Sequence, residues 1–327
     1  MSLPSFQLLR PKTLDEAVSL FAKHEGEVKI VAGGTDLLPS MKQKLFTPPY
    51  LMDLRGVGEL RGIRSVPGQG IEIGALTTLG AIEHSPIIRR NYSVLHEAVN
   101  TVASPVLRNM GTLGGNICLD TRCLWYNQSL LWRTSCGFCL KKDGDLCHVA
   151  PGGSFCWATF SGDTPPALLC LGAELEIAGP DGVRRTPLSD FYVNDGIVRL
   201  HLASDEIVTR VYLPETTAGW NGSYQKLRVR GSIDYPLAGV AVALKIKAGQ
   251  VEDARMAITA VNPAPHLIKE AKMQLIGAVP DEEVAEKVGE LAMRTAKPLT
   301  TAALTPEYRR EMVRVFAKRA VLQAATN

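Results

Sequence analysis

Five cysteines, Cys123, Cys136, Cys139, Cys147 and Cys156, fall within 34 residues of one another in the middle of the chain. From residue 118 to residue 160 the apolar periodicity found elsewhere disappears, yet Trp125, Trp132, Trp157, Tyr126, Phe138 and Phe160 all lie there. A disordered linker is poor in aromatic residues. The stretch is therefore expected to fold as a compact loop around something. Cys118 precedes it and Cys170 follows it, making seven cysteines in 327 residues. An odd number in a long chain is not the framework of a small secreted disulfide protein. Clustered thiols in a reducing compartment point instead to a metal or redox role.

Spacing alone leaves three chemistries open. A cubane iron–sulfur cluster takes four converging thiolates. A zinc ribbon favours two C-x2-C knuckles, and only Cys136 with Cys139 forms one; Cys147 and Cys156 are too far apart. His148 is a further zinc candidate, although a loop histidine beside a cysteine is more often solvated. A thioredoxin-like dithiol wants a helix N-terminus, which Gly137, Lys141 and Lys142 do not suggest. Read by spacing, Cys136 pairs with Cys139.

The rest of the chain is that of a globular protein with substantial cores, 46% hydrophobic and 21% charged. A net charge of +3 is too small to argue for nucleic acid. No apolar run suits a signal peptide or a membrane span, so a cytoplasmic, membrane-free protein is expected. Thr13-Leu-Asp-Glu16 is a capping box opening a helix. Strands are expected at Val28 to Ala32, Tyr50 to Leu54 and Ile71 to Gly74, with helices at Thr78 to His84 and Leu95 to Val102. Pro166 to Ile177 reads as helix then strand, and Glu206 to Leu213 as a strand. Leu237 to Ile246 and Ala254 to Val261 form a hairpin, with helices near 267–276, 281–296 and 306–324 after it. Thr305 and Pro306 open the last. The expected fold class is α+β, with a separate C-terminal domain of antiparallel sheet plus helices.

Two glycine stretches can cradle a phosphate: VAGGTDLLPSMK at Val31 to Lys42, and GTLGGN at Gly111 to Asn116. Glycines after a strand let backbone N–H groups point outward as an anion nest. Neither is G-x-G-x-x-G nor a Walker loop. These two stretches, with GDTPPALLCLGAELEI, DEIVTRVYLP and YQKLRVRGSIDYPLAGVAVAL, resemble the FAD-binding medium subunit of molybdenum hydroxylases, the xanthine dehydrogenase group, along essentially the whole chain.

That resemblance implies an FAD-binding region of two subdomains, 1–60 and 61–218, with an iron–sulfur insertion at 118–160, and a C-terminal α+β domain at 219–327. It implies that Ile30, Val31, Ala32, Gly33, Gly34, Thr35, Asp36 and Leu37 wrap the FAD diphosphate. Thr112, Leu113, Gly114, Gly115 and Asn116 would form a second phosphate loop. Asp163 matches a polar FAD contact, Ile207 an apolar one, and Lys226 a lysine beside the flavin ring. The insertion resembles one branch of the family, the β subunit of 4-hydroxybenzoyl-CoA reductase. There it implies a [4Fe–4S] cluster on Cys123, Cys139, Cys147 and Cys156. Cys136 is then surplus, Cys118 and Cys170 are buried small residues, and the three tryptophans shield the cluster.

By the same resemblance the chain is an electron-transfer subunit with no catalytic residue of its own. It implies a molybdenum-cofactor large subunit and a [2Fe–2S] small subunit as partners in a dimer of heterotrimers, and a ferredoxin-like carrier. Substrate chemistry, reductive dehydroxylation of an aromatic CoA thioester, would occur in the large subunit. The alternatives are the same subunit in another molybdenum hydroxylase, or a zinc-stabilised nucleotide-binding module. FAD is expected to survive loss of the cluster, because both glycine loops lie outside the insertion.

Overall fold

The computed structural model describes residues 2–326 and divides them among three sheets. The first is small and parallel. Tyr50–Asp53 lies between Gln7–Leu9 and Val28–Val31, and the helix Leu14–Lys23 makes the crossover. Thr13 caps that helix by accepting from the Glu16 amide, and Ala17 and Phe21 carry its buried face. Val28–Val31 ends at Ala32-Gly33-Gly34, and the short helix Leu37–Lys42 follows.

The second sheet is antiparallel, in the order Ile63–Val66, Gly70–Gly74, Ile207–Pro214, Glu174–Gly179, Gly182–Pro187. Against it packs the helix Thr164–Leu171, every residue of which is buried. Its sequence, TPPALLCL, has no polar face to turn to water. Gly172 ends it in the left-handed conformation at φ 67°.

The third sheet is also antiparallel, in the order His266–Leu267, Gln250–Thr259, Ala238–Lys247, Asn221–Leu227. Ala238–Lys247 is apolar on both faces because both are covered. Ala241 and Ala243 join the core around Leu168 and Leu171, whereas Val240, Val242 and Leu244 pack against Val313, Phe316 and Val321. The latter belong to Pro306–Thr326, which with Lys269–Leu275 and Glu282–Thr295 covers that side. The C-terminal region is thus an antiparallel sheet with helices, as the sequence indicates. Among the described residues no helix is long and apolar enough to cross a membrane.

Between the helices Leu113–Ile117 and Thr164–Leu171 the chain makes its excursion through the cysteine-rich segment. Its neck is closed by a bridge in which Arg122 and Thr159 exchange both amide hydrogen bonds at 2.8 Å. Inside it, Leu130–Ser135 is helical, capped by Ser129. Arg133 from that helix is buried and donates to the carbonyls of Lys44 at 3.0 Å and Gln43 at 3.4 Å, tying the excursion to the first subdomain.

Arg309 is a second fully buried arginine. It donates to the carbonyls of Leu237 (2.9 Å), Leu299 (2.9 Å) and Ala260 (2.6 Å), and burial lowers its pKa to about 10. Arg309→Met removes these bonds and takes the arginine donor from the Leu237 and Ala260 carbonyls, whereas the Leu299 carbonyl keeps the Thr301 amide. It should destabilise the chain by about 3–5 kcal/mol, as breaking a buried charged network does. The check is the urea midpoint of the far-UV circular dichroism signal.

Candidate functional site

The two glycine loops meet at the base of one cavity of about 650 Å³, within the range that ligand pockets occupy. Gly33 sets their separation. A Cβ at that position would overlap the Met110 carbonyl oxygen and lie 3.0 Å from the Gly111 amide, so the loops touch backbone to backbone. A Cβ at Gly114 would lie 2.8 Å from the Ala75 Cβ and 3.0 Å from its carbonyl oxygen, a close but looser approach. Gly115 differs. The nearest obstacle to a side chain there is Thr112 Oγ1 at 3.0 Å, and Gly115 lines the cavity.

Of the first loop, Ile30 and Ala32 to Leu37 line the cavity; Val31 does not. Of the second, Thr112, Gly114, Gly115 and Asn116 line it, whereas Leu113 is fully buried in the adjoining core. Thr112 Oγ1 accepts from the Gly115 amide at 3.1 Å and so holds the turn. Asn116 Oδ1 accepts from Thr164, amide at 3.0 Å and hydroxyl at 2.7 Å, tying this loop to the buried helix.

Asp163 and Ile207 also line the cavity. Lys226 does not. Its Nζ donates to Asp163 Oδ2 at 2.9 Å, to the Thr101 carbonyl at 2.9 Å and to the Asp234 carbonyl at 3.0 Å, with its side chain 2% exposed. Tyr224 donates to the other Asp163 oxygen at 2.8 Å. Lys226 therefore stands behind Asp163 and fixes its carboxylate. Asp36 Oδ1 joins the mouth together. It accepts from Arg122 at 3.0 Å and from the Tyr235 hydroxyl at 2.6 Å, and the Arg122 guanidinium lies 4.0 Å from the Tyr235 ring centre. One carboxylate thus links the first subdomain, the insertion neck and the C-terminal region.

Sequence reading missed a whole wall of this cavity, Ile197 to Ser204, together with Lys29, Asp120 and Tyr235. No local pattern marks them, since the tertiary fold alone brings them in. Cys118 also lines the cavity, half-buried, with burial raising its thiol pKa to about 11. Cys170 is fully buried on its helix, as a small apolar residue would be.

A second, much smaller cavity lies inside the insertion. Cys123, Cys139, Cys147 and Cys156 all line it and all are buried; Cys136 does not line it. Cys136 sits at the carbonyl end of the helix Leu130–Ser135, the opposite end from the one a reactive dithiol uses. Trp125 and Trp157 wall the cavity, while Trp132 is 37% exposed and packs on Trp125 from outside. His148 is not a free loop histidine. It lines the cavity, stacks on Trp125 at 4.4 Å, and bonds through Nε2 to the Phe138 carbonyl. Burial raises the Cys123 thiol pKa and takes that of Cys156 to about 11. The free space between the thiols is about 20 Å³, roughly what one water needs. Among the described residues no group of three or more His, Cys, Asp and Glu side chains is drawn together to hold a single metal ion.

A deep cavity shared by two subdomains and floored by two touching glycine loops is the architecture of a dinucleotide-binding flavoprotein. The family described as "FAD binding domain in molybdopterin dehydrogenase" matches residues 4–216, and "CO dehydrogenase flavoprotein C-terminal domain" matches residues 222–324. The chain is 32% identical to the carbon monoxide dehydrogenase medium chain of Afipia carboxidovorans, covering 98% of this chain and 96% of that one. It is 27% identical to the nicotine 6-hydroxylase medium subunit of Paenarthrobacter nicotinovorans, covering 99% of each. Among solved structures, a cyanide-inactivated Cu,Mo-CO dehydrogenase chain superposes with a TM-score of 0.83 at 29% identity, over 100% of this chain and 99% of that one. The chain belongs to the FAD-binding medium subunits of the molybdenum hydroxylase family, and is an FAD-binding subunit of an oxidoreductase.

Gly33→Ala tests the loop contact. The methyl group has to displace the Met110 peptide, so stability should fall by about 1–3 kcal/mol, the usual penalty of overpacking. Thermal unfolding of the FAD-free protein reads this without interference from ligand binding.

Proposed function

We propose that this chain is the flavin and [4Fe–4S] electron-transfer subunit of a molybdenum-containing oxidoreductase. The observation that carries the proposal is the sorting of five clustered cysteines. The fold gathers Cys123, Cys139, Cys147 and Cys156 around one buried cavity and leaves Cys136 outside it. Those are the four positions that the resemblance nominates, and local spacing alone would have chosen Cys136.

The FAD diphosphate is assigned to the loops Ile30 to Leu37 and Thr112 to Asn116, with Asp163 and Ile207 as further contacts. Lys226 serves by orienting Asp163 rather than by touching the flavin. The domain division we adopt, 1–60, 61–218 and 219–327 with the insertion at 118–160, is supported by the confinement of each sheet to one of these spans.

Four cysteines are the usual ligand set of a [4Fe–4S] cluster. Burial raises the pKa of the Cys123 and Cys156 thiols, and a bound cationic centre would compensate them as thiolates. The four cysteines line one small space, and among the described residues they are not drawn close enough to form a metal-binding group. Admitting a cluster requires that space to open beyond about 20 Å³. A [4Fe–4S] centre exchanges one electron at a time and FAD one or two. The chain's own residues bind, orient and insulate. Trp125 and Trp157 exclude water from the thiols, and no side chain of this subunit is assigned an acid–base role.

The partners proposed are a molybdenum-cofactor large subunit and a [2Fe–2S] small subunit, with a ferredoxin-like carrier exchanging electrons with this chain. Reduction of 4-hydroxybenzoyl-CoA is the substrate reading supported by the resemblance of the insertion. Other molybdenum hydroxylases remain the alternative, since relatives named for carbon monoxide and for nicotine share the whole length of this subunit. Turnover by the purified complex with each substrate separates them.

Iron and acid-labile sulfide on anaerobically purified protein test the cluster. Cys136→Ser should keep about four irons per chain, whereas Ser at any of the other four positions should lose or degrade the cluster. Full iron in all five variants, or zinc in place of iron, overturns the reading.

Gly115→Val tests the flavin assignment separately. Its side chain meets only Thr112 Oγ1, at 3.0 Å, and otherwise faces the cavity, so the protein should fold and be depleted of FAD. Stoichiometric FAD in that variant would refute the phosphate-loop assignment.

A further inference from the structure

The two cavities share a wall, and the shared wall is short. The second glycine loop continues directly into Cys118, Leu119 and Asp120, which line the large cavity; three residues later Cys123 lines the small one. On the return, Cys156 lines the small cavity and Ser161 and Asp163 the large one. The insertion is thus rooted in the flavin wall at both ends.

One side chain ties these roots together. Lys141, a wall residue of the cysteine cavity with its side chain only 7% exposed, lies between Cys139 and Cys147 in the chain. Its Nζ donates to Asp120 Oδ1 at 2.9 Å, to the Thr121 carbonyl at 3.0 Å and to the Thr121 hydroxyl at 2.5 Å. All its donors are therefore spent on the strip of chain that backs the large cavity. The Thr121 hydroxyl passes the connection on, donating to the Gly196 carbonyl at 2.6 Å.

Gly196 in turn touches both sites. A Cβ there would lie 2.6 Å from Cys156 Sγ, and its amide donates to the Cys156 carbonyl at 2.8 Å. The next residues, Ile197, Val198 and Arg199, line the large cavity. Arg199 closes the circuit 3.5 Å from Asp120 Oδ1.

We propose that Lys141 is a positioning residue that couples the two sites, so that filling the cysteine site strengthens FAD binding and FAD in turn stabilises the filled cysteine site. This rests on the reading of Cys123, Cys139, Cys147 and Cys156 as a cluster site. The physical basis is that Lys141 stands in the same short loop as Cys139 and Cys147, so any shift of those thiols on filling is felt at its hydrogen bonds. Lys141 transmits that shift to Asp120 and, through Thr121 and Gly196, to the wall formed by Ile197 to Arg199. Coupling of this kind is reciprocal by thermodynamic necessity. It revises the expectation that FAD binding is indifferent to the insertion.

The test titrates FAD into deflavinated protein whose cysteine site is either reconstituted with iron and sulfide or stripped by chelator, following quenching of flavin fluorescence. Wild-type protein should bind FAD about 5- to 10-fold more weakly when stripped, a coupling of ordinary size. In Lys141→Met, which keeps the stem and removes the donors, the stripped and reconstituted forms should bind alike. Thr121→Val, which breaks only the hydroxyl link, should shrink the difference and serves if the first variant fails to fold by circular dichroism. Equal FAD affinity in both wild-type forms overturns the coupling, and a difference that persists undiminished in the variants overturns the role of Lys141. Wild-type protein that takes up no iron and sulfide overturns the cluster reading itself, a result distinguishable from either.

Discussion

Contact between two stretches of bare backbone governs this molecule. Gly33 rests on the Met110–Gly111 peptide with no room for a methyl group between them. The parallel sheet that delivers Gly33 and the mixed region that delivers Gly111 to Gly115 are thereby held at one spacing. Everything that faces the large cavity takes its position from that pair of loops. Asp36, two residues beyond Gly34, reaches Arg122 of the insertion and Tyr235 of the C-terminal region. Asn116 fixes the start of the buried helix. A glycine here is required by close approach and not by an unusual φ, which is why sequence shows its presence and hides its reason.

How much of this the sequence made legible depended on where each signal lay. The hairpin of Ala238–Lys247 with Gln250–Thr259 was readable because long apolar runs flank a polar turn. Gly182–Pro187 was not, because GVRRTP is an exposed edge strand with little apolar pattern to detect. Asn221–Leu227 escaped for a similar reason, its NGSYQKL mixing small and polar residues that are buried only by the sheet they join. The glycine loops were visible, but the wall from Ile197 to Ser204 was not, since nothing in its local sequence announces a cavity. Lys226, expected beside the flavin ring, lies behind Asp163 and does not line the cavity. Only the structure shows its ammonium fully engaged by Asp163 and two carbonyls.

The cysteines teach the sharper lesson. Proximity in sequence favours Cys136 with Cys139, three residues apart. In space, the bridge between Arg122 and Thr159 brings the two ends of the segment together, with Cys123 next to Arg122 and Cys156 three residues before Thr159, and both line the small cavity. Cys136 is turned away because it closes a helix whose anchor, Arg133, faces the first subdomain. Long-range pairing of the neck thus decides which thiols converge.

The helix Thr164–Leu171 has a consequence for the molecule as a whole. It is apolar all round and is covered by the five-stranded sheet on one side and by Ala241, Ala243 and Ala257 of the C-terminal sheet on the other. Cutting the chain near residue 218 would therefore strip one side of a helix that has no polar side to present. Although two family descriptions divide the chain there, the halves are not independent lodgers. They share the core around this helix, so swapping the C-terminal half between relatives should succeed only where the new sheet offers the same bed of small residues.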